Sequence, residues 1–186
     1  MSPAVRGSAR RKLLDAAAAR FYAQGVVATG IDVITADAGV AKMSLYNNFA
    51  SKADLVAAYL ERRQEEFRAR HRELVAALPD DAGPAARALA VFDAYVGHAE
   101  AAGGFRGCGL LNAAAELATG DPGREVVAGH KAEVERMLRD AVGDAGLAEH
   151  LSLLLEGAMA RAGLEGDTAL LRRARALAAG LLGAGT

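Results

Sequence analysis

Apolar side chains recur three and four residues apart along most of the chain, and most such runs stop at glycine or proline. This spacing puts them on one side of a 3.6-residue helix, so each run predicts an amphipathic helix. Leu13, Leu14, Ala17 and Phe21 predict a first helix near 9–24, stopped by Gly25. Residues 26–30 read as a loop, with Thr29 placed to cap a second helix whose inward side is Ile31, Ile34, Thr35 and Ala38. Gly39 breaks that helix, and Val40 points back into a core. A third, short helix over about 41–48 keeps Leu45 and Phe49 inward. Two short helices joined by a glycine turn, behind a longer first one, make a helix-turn-helix pattern.

The same periodicity continues. Ser51 and Asp54 form a partial capping box for a long fourth helix to about Leu78, with Leu55, Tyr59, Arg62, Glu66, Phe67 and Leu74 along it. The run Pro79–Pro84 is a loop, and a fifth helix over about 85–102 ends at Gly103-Gly104. A short helix over 109–118 stops at Gly120-Asp121-Pro122, and Pro122 opens a seventh to about 143. Two further runs, Leu147 to Ala162 and Leu170 to Leu182, give the last two helices. The chain has 45 alanines and 23 leucines against 4 prolines in 186 residues, with no tryptophan. Strong helix formers in that excess predict an all-α fold of about nine helices. The expected division is a helix-turn-helix domain over 1–50 and a second, antiparallel helical domain over 51–186, linked by helix 4 from about residue 52.

Charge is uneven. Residues 1–52 carry Arg6, Arg10, Arg11, Lys12, Arg20, Lys42 and Lys52 against Asp15, Asp32 and Asp37, so this part is +4 and the remainder is −5. A basic end on an acidic body suits a polyanion partner, or is simply a solvated basic face. No apolar run reaches the roughly 18 residues that span a bilayer. Charged residues interrupt the first 30 positions, so neither a membrane span nor a secretory leader is expected, and the reading is cytoplasmic. Cys108 stands alone and cannot build a disulfide framework. His71, His98, His130 and His150 lack ligand spacing, so no metal site is expected. Gly25 to Gly30 has phosphate-loop spacing, but Ile31 and Asp32 stand where that loop needs lysine and a hydroxyl. With no placeable Ser/His/Asp set or carboxylate pair, neither an enzyme nor a cofactor is expected.

The stretch Gly39-Val40-Ala41-Lys42-Met43-Ser44-Leu45-Tyr46-Asn47-Asn48-Phe49, followed by Ser51-Lys52-Ala53-Asp54-Leu55, closely resembles the amino-terminal domain of TetR-family transcriptional regulators. Leu13 to Ala17, Phe21, Gly25 and Thr29 also fall where that family has them, so the resemblance is continuous over about 10–60. It implies an all-α, homodimeric regulator, usually a repressor, whose second domain binds a small effector that releases a palindromic operator on double-stranded DNA. Residues 41–48 then enter a major groove of about 12 Å. Lys42 reaches a phosphate or a guanine edge, and Met43 and Ser44 sit at the end where base contact is expected. Tyr46 bonds a phosphate, Asn47 reads an adenine edge, and Asn48 is a further expected DNA contact beside it. Thr29 and Lys52 clamp phosphates on either side. The chain departs from the family at Met43, where glycine is common, at Asn48, where histidine is, and at Thr35, where alanine is often found.

Beyond Phe105, Gly107-Cys108-Gly109-Leu110-Leu111-Asn112 and then Glu116 resemble a segment beside the ligand pocket in one subgroup of that family. An effector pocket is expected from Phe67, Phe92, Tyr95, Leu111, Met137 and Met159, with Cys108, Asn112, Glu116 and His130 as its polar members. Each apolar one of these also suits an ordinary core. The last two stripes are expected to form the dimer interface. One supplies Leu151, Leu154, Leu155, Ala158 and Ala162; the other supplies Leu170, Ala174, Leu177, Ala178 and Leu181. The alternative is that both are spent inside the subunit. A rival of another class is a helical ligand-binding or Cys108-based redox-sensing protein that does not touch DNA.

Overall fold

A computed structural model of the protein describes residues 3–101 and 104–183, with side chains over 8–100 and 104–183. The described residues form nine helices and no strands: α1 (Pro3–Gln24), α2 (Ile31–Asp37), α3 (Lys42–Tyr46), α4 (Lys52–Ala76), α5 (Pro84–Ala101), α6 (Gly109–Glu116), α7 (Pro122–Val142), α8 (Ala145–Glu165) and α9 (Ala169–Leu181). The all-α expectation holds, and the helix breaks among the described residues fall at glycine or proline except that between α3 and α4, where 47–51 holds neither. The break expected at Gly103 and the side chain of Arg6 lie outside the described residues.

The described residues fall into two compact units. One comprises 3–63 with 109–127, and the other 64–101 and 104–108 with 128–183. Thus α6 joins the amino-terminal helices, and α4 and α7 each contribute to both units.

In the first unit α1 packs on α2, α3 and α6. Leu13, Ala17, Phe21, Ile34, Leu45, Phe49, Leu55 and Tyr59 are buried, while Leu14 and Ile31 are only half-buried. Phe21 meets Tyr59 edge to face, ring centroids 5.5 Å apart. Gly39 has φ +62°, the left-handed conformation that lets the chain turn between α2 and α3. Val40 N–H then bonds back to the Thr35 carbonyl at 3.1 Å. Arg20 pairs with Asp37 at 2.5 Å and Arg62 with Asp15, pinning α1 to α2 and to α4. Ser51 caps α4 as expected, accepting from Asp54 N–H at 3.1 Å.

In the second unit α9 packs on α8 and α5. Its core holds Phe67, Phe92, Tyr95, Val134, Leu138, Leu151, Leu155, Met159 and Leu171. The α8–α9 hairpin opens at Asp144, which caps α8 by accepting from Leu147 N–H at 2.9 Å, and turns at the left-handed Gly166. Arg175 bonds Asp93, which ties α9 to α5, and Arg68 bonds Glu133 at 2.7 Å, which ties α4 to α7.

Candidate nucleic-acid interface

The α2–Gly39–α3 element leaves one side of α3 to solvent. Leu45 and Phe49 face inward, and Lys42, Met43, Tyr46 and Asn47 face outward. Met43 is 68% exposed and Tyr46 45%, which is unusual for a large apolar side chain and an aromatic one on so short a helix. Ser44 is half-buried. Lys42 pairs with Asp32 at 2.8 Å across two exposed side chains, and the carboxylate raises the lysine's proton affinity. An exposed pair of this kind holds weakly, so the ammonium remains available to a stronger anion. Asp32 was not singled out in the sequence, because nothing local signals which cation it meets.

Two expected contacts take other roles. Thr29 is buried, and its hydroxyl donates to the Gly25 carbonyl at 2.7 Å. The N-cap of α2 is Gly30, without a side-chain bond. Thr29 therefore closes the preceding turn, rather than capping α2 or offering its hydroxyl to a phosphate. Asn48 is half-buried and donates from Nδ2 to the Ser44 carbonyl at 2.7 Å. One N–H of its amide thus satisfies a carbonyl at the end of α3.

Lys52 lies at the start of α4 and donates from Nζ to the Val27 carbonyl at 3.2 Å. The Val27 N–H in turn donates to Glu116 Oε2 at 2.7 Å. Glu116 was expected in the effector pocket, yet it closes the α1–α2 turn of the first unit. Leu111 and Asn112 lie on α6 beside it in that unit. In that unit α6 docks on α1, and its first residue, Gly109, has room for no side chain against Tyr59 and Tyr22.

The remaining pocket residues do come together in the second unit. Phe67 lies edge to face with Tyr95, centroids 5.0 Å apart, and with His130, 5.1 Å apart. Phe92 and Met159 are buried in the same core, and Met137 is half-buried against it. Half-buried Cys108 meets Lys131, which sequence reasoning missed: Nζ lies 3.6 Å from Sγ, 3.2 Å from the Tyr95 hydroxyl and 2.8 Å from Glu156 Oε1. Burial opposes the charge on Lys131, but the facing Cys108, Tyr95 and Glu156 hold its proton affinity above the ordinary value. Burial, then the Lys131 charge, pushes His130 down to about 4.

The expected dimer stripes divide. Leu151, Leu155, Ala162, Ala174 and Ala178 are buried in the subunit's own core. The inward reading is correct for these five, because α8 and α9 close on each other and α9 on α5. Leu154, Ala158 and Leu170 are half-buried, and Leu177 and Leu181 are exposed at 53% and 58%. With Leu153, 65% exposed and off the expected stripe, they outline an apolar face. A groove of about 430 Å³ runs through it, lined by Leu153, Leu154, Gly157, Ala158, Leu170, Ala174 and Leu177 and flanked by Arg161 and Arg173.

Comparison with known proteins adds a family signal. The profile for bacterial regulatory proteins of the tetR family matches residues 13–59. The structure is similar to that of a TetR-family transcriptional regulator from Streptomyces coelicolor, with a TM-score of 0.86 and 30% identity over 95% of each chain. A candidate TetR transcriptional regulator from Streptomyces avermitilis gives 0.74 and 34% identity, over 93% of this chain and 97% of that one. A TetR transcriptional regulator from Chloroflexus aurantiacus gives 0.78 and 26% identity over 94% of each. No curated protein matches the chain in sequence.

Proposed function

The chain belongs to the TetR family of DNA-binding transcriptional regulators, and from that premise we propose that it is a homodimeric repressor released from a palindromic operator by a small molecule. The observation that carries this reading is the solvent-facing side of α3, where Lys42, Met43, Tyr46 and Asn47 stand together with no packing role. Such a side chain set suits a groove: a cation for phosphate, an amide for a base edge, and apolar bulk for a thymine methyl. Lys52 supports it from the start of α4. Ser44, in the middle of α3, is the half-buried member of the set.

Dimerisation through the outer face of α8 and α9 is favoured by the exposed Leu153, Leu177 and Leu181. Two groove helices about 34 Å apart then suit a palindrome. The effector site proposed is the cluster of Phe67, Phe92, Tyr95, His130 and Met159, with Lys131 and Cys108 beside it. A ligand there that binds two states unequally shifts α4, which contributes to both units. A coupling of about 1–3 kcal/mol changes operator affinity about 5–150-fold.

The test is salt-titrated binding to DNA from upstream of the protein's own coding sequence, and to a fragment selected from a random pool. Wild type should bind specifically and lose affinity as salt rises. Asn47→Ala should relax preference at one base pair by about 1–3 kcal/mol. Lys42→Ala should weaken all sequences alike, and Tyr46→Phe should weaken binding by the loss of one phosphate bond. Failure to select any DNA from the random pool would instead favour a helical ligand-binding protein.

A further inference from the structure

We propose that Glu116 is a positioning residue for DNA binding, acting on the Lys52 ammonium by fixing the backbone of Val27. This rests on the reading that α3 and Lys52 meet DNA. Glu116 ends α6, 89 residues from the turn it closes, and its Oε2 accepts the Val27 N–H at 2.7 Å. The carbonyl of the same residue accepts from Lys52 Nζ at 3.2 Å.

A side chain on either side of one residue therefore grips its backbone. The two bonds fall on the peptide units before and after the Val27 Cα, so together they fix the orientation of the carbonyl that Lys52 meets. An ammonium has three N–H donors. Val27 takes one and aims the other two away from the turn.

Two further features show that the turn is shaped for this contact. Val27 is 67% exposed, so burial of its own side chain does not hold the turn. Gly25 has φ +93°, and a Cβ there would run into the Glu116 carboxylate. Glycine leaves the space that the carboxylate occupies. Thr29, donating to the Gly25 carbonyl, closes the turn from within. The turn leads directly into α2 and so to α3, which puts the end of α6 in control of where the Lys52 charge sits.

The experiment uses the full-length protein and the DNA fragment that wild type selects. Glu116→Ala should weaken binding about three- to tenfold, the range of one net hydrogen bond. Its salt slope should fall towards that of Lys52→Ala, by about one. Glu116→Gln keeps a carbonyl acceptor for Val27 and should stay within about twofold of wild type. In the Lys52→Ala background, Glu116→Ala should add nothing. Wild-type affinity and slope in Glu116→Ala would overturn the proposal and leave the regulator reading intact. An equal loss in both Lys52 backgrounds, unrescued by Gln, would show a merely structural role and overturn it as well. If wild type selects no DNA at all, the regulator reading fails and this proposal falls with it.

Discussion

His130 lies against the edge of Phe67, and its Nδ1 has no hydrogen-bond partner among the described residues. Burial and the neighbouring Lys131 charge push the imidazole down to about 4, with Arg68 acting in the same direction and Glu133 against them. The unfolded chain takes up that proton near 6.5 and the folded chain only near 4. Stability is therefore complete above pH 6.5 and falls as pH drops towards 4, by at most about 3 kcal/mol. His71, also lowered by burial, adds to the loss in the same direction. Thermal midpoints measured between pH 7 and 4.5 should fall, and should fall less in His130→Leu; an unchanged pH profile in that variant would remove His130 from the account. Gly163 gives a second test at this scale. A Cβ there would lie 2.6 Å from the Gly107 Cα, a backbone atom that cannot swing aside. Gly163→Ala should cost about 1–3 kcal/mol in urea unfolding.

At the scale of the element, α3 is five residues long and holds little helix by itself. Its position depends on Leu45 and Phe49 beneath it, on the Gly39 turn, and on Asn48 closing its end. Asp32 on α2 places a negative charge beside the Lys42 that the groove reading assigns to DNA. Asp32→Asn should free Lys42 and raise general DNA affinity several-fold, with selectivity reduced, as competition between specific and random DNA would show. Binding weaker than wild type would mean that Asp32 orients Lys42 productively. The helix-turn-helix was legible because a glycine turn and a polar outer pattern fall at fixed local spacing. The partners of Asp32, Asn48 and Thr29 were not, since each depends on which backbone or side-chain group is left unsatisfied once the helices pack.

At the scale of the whole molecule, the outer groove of α8 and α9 is the apolar surface proposed to meet a second copy. Leu153→Asp and Leu177→Asp should each shift sedimentation from dimer to monomer without loss of helix content, and should weaken operator binding as the second half-site is lost. A wild-type monomer at micromolar concentration would overturn the dimer reading. The stripes that predicted this interface were correct as helices but mixed in direction. Leu151, Leu155 and Ala178 are core, whereas Leu153, which is not among the residues of the expected stripe, is exposed and lines the groove. Periodicity identifies an apolar side of a helix. It does not say whether that side meets the same chain or another, because burial within either has the same pattern.

Local spacing set out the nine helices of the described residues, most of their stops at glycine or proline, and the helix-turn-helix pattern, because 3.6-residue periodicity, capping and turn chemistry act over a few residues; the assignment of α3 to DNA came from the resemblance to the TetR family. Tertiary structure decided where α6 belongs. It took Glu116 from an expected pocket to the Val27 turn, and it brought Lys131 to Cys108 and Tyr95. Those contacts join residues 89, 23 and 36 positions apart. Contacts at that separation form only when whole helices dock, and helix docking is chosen by the summed burial of many side chains rather than by any one motif.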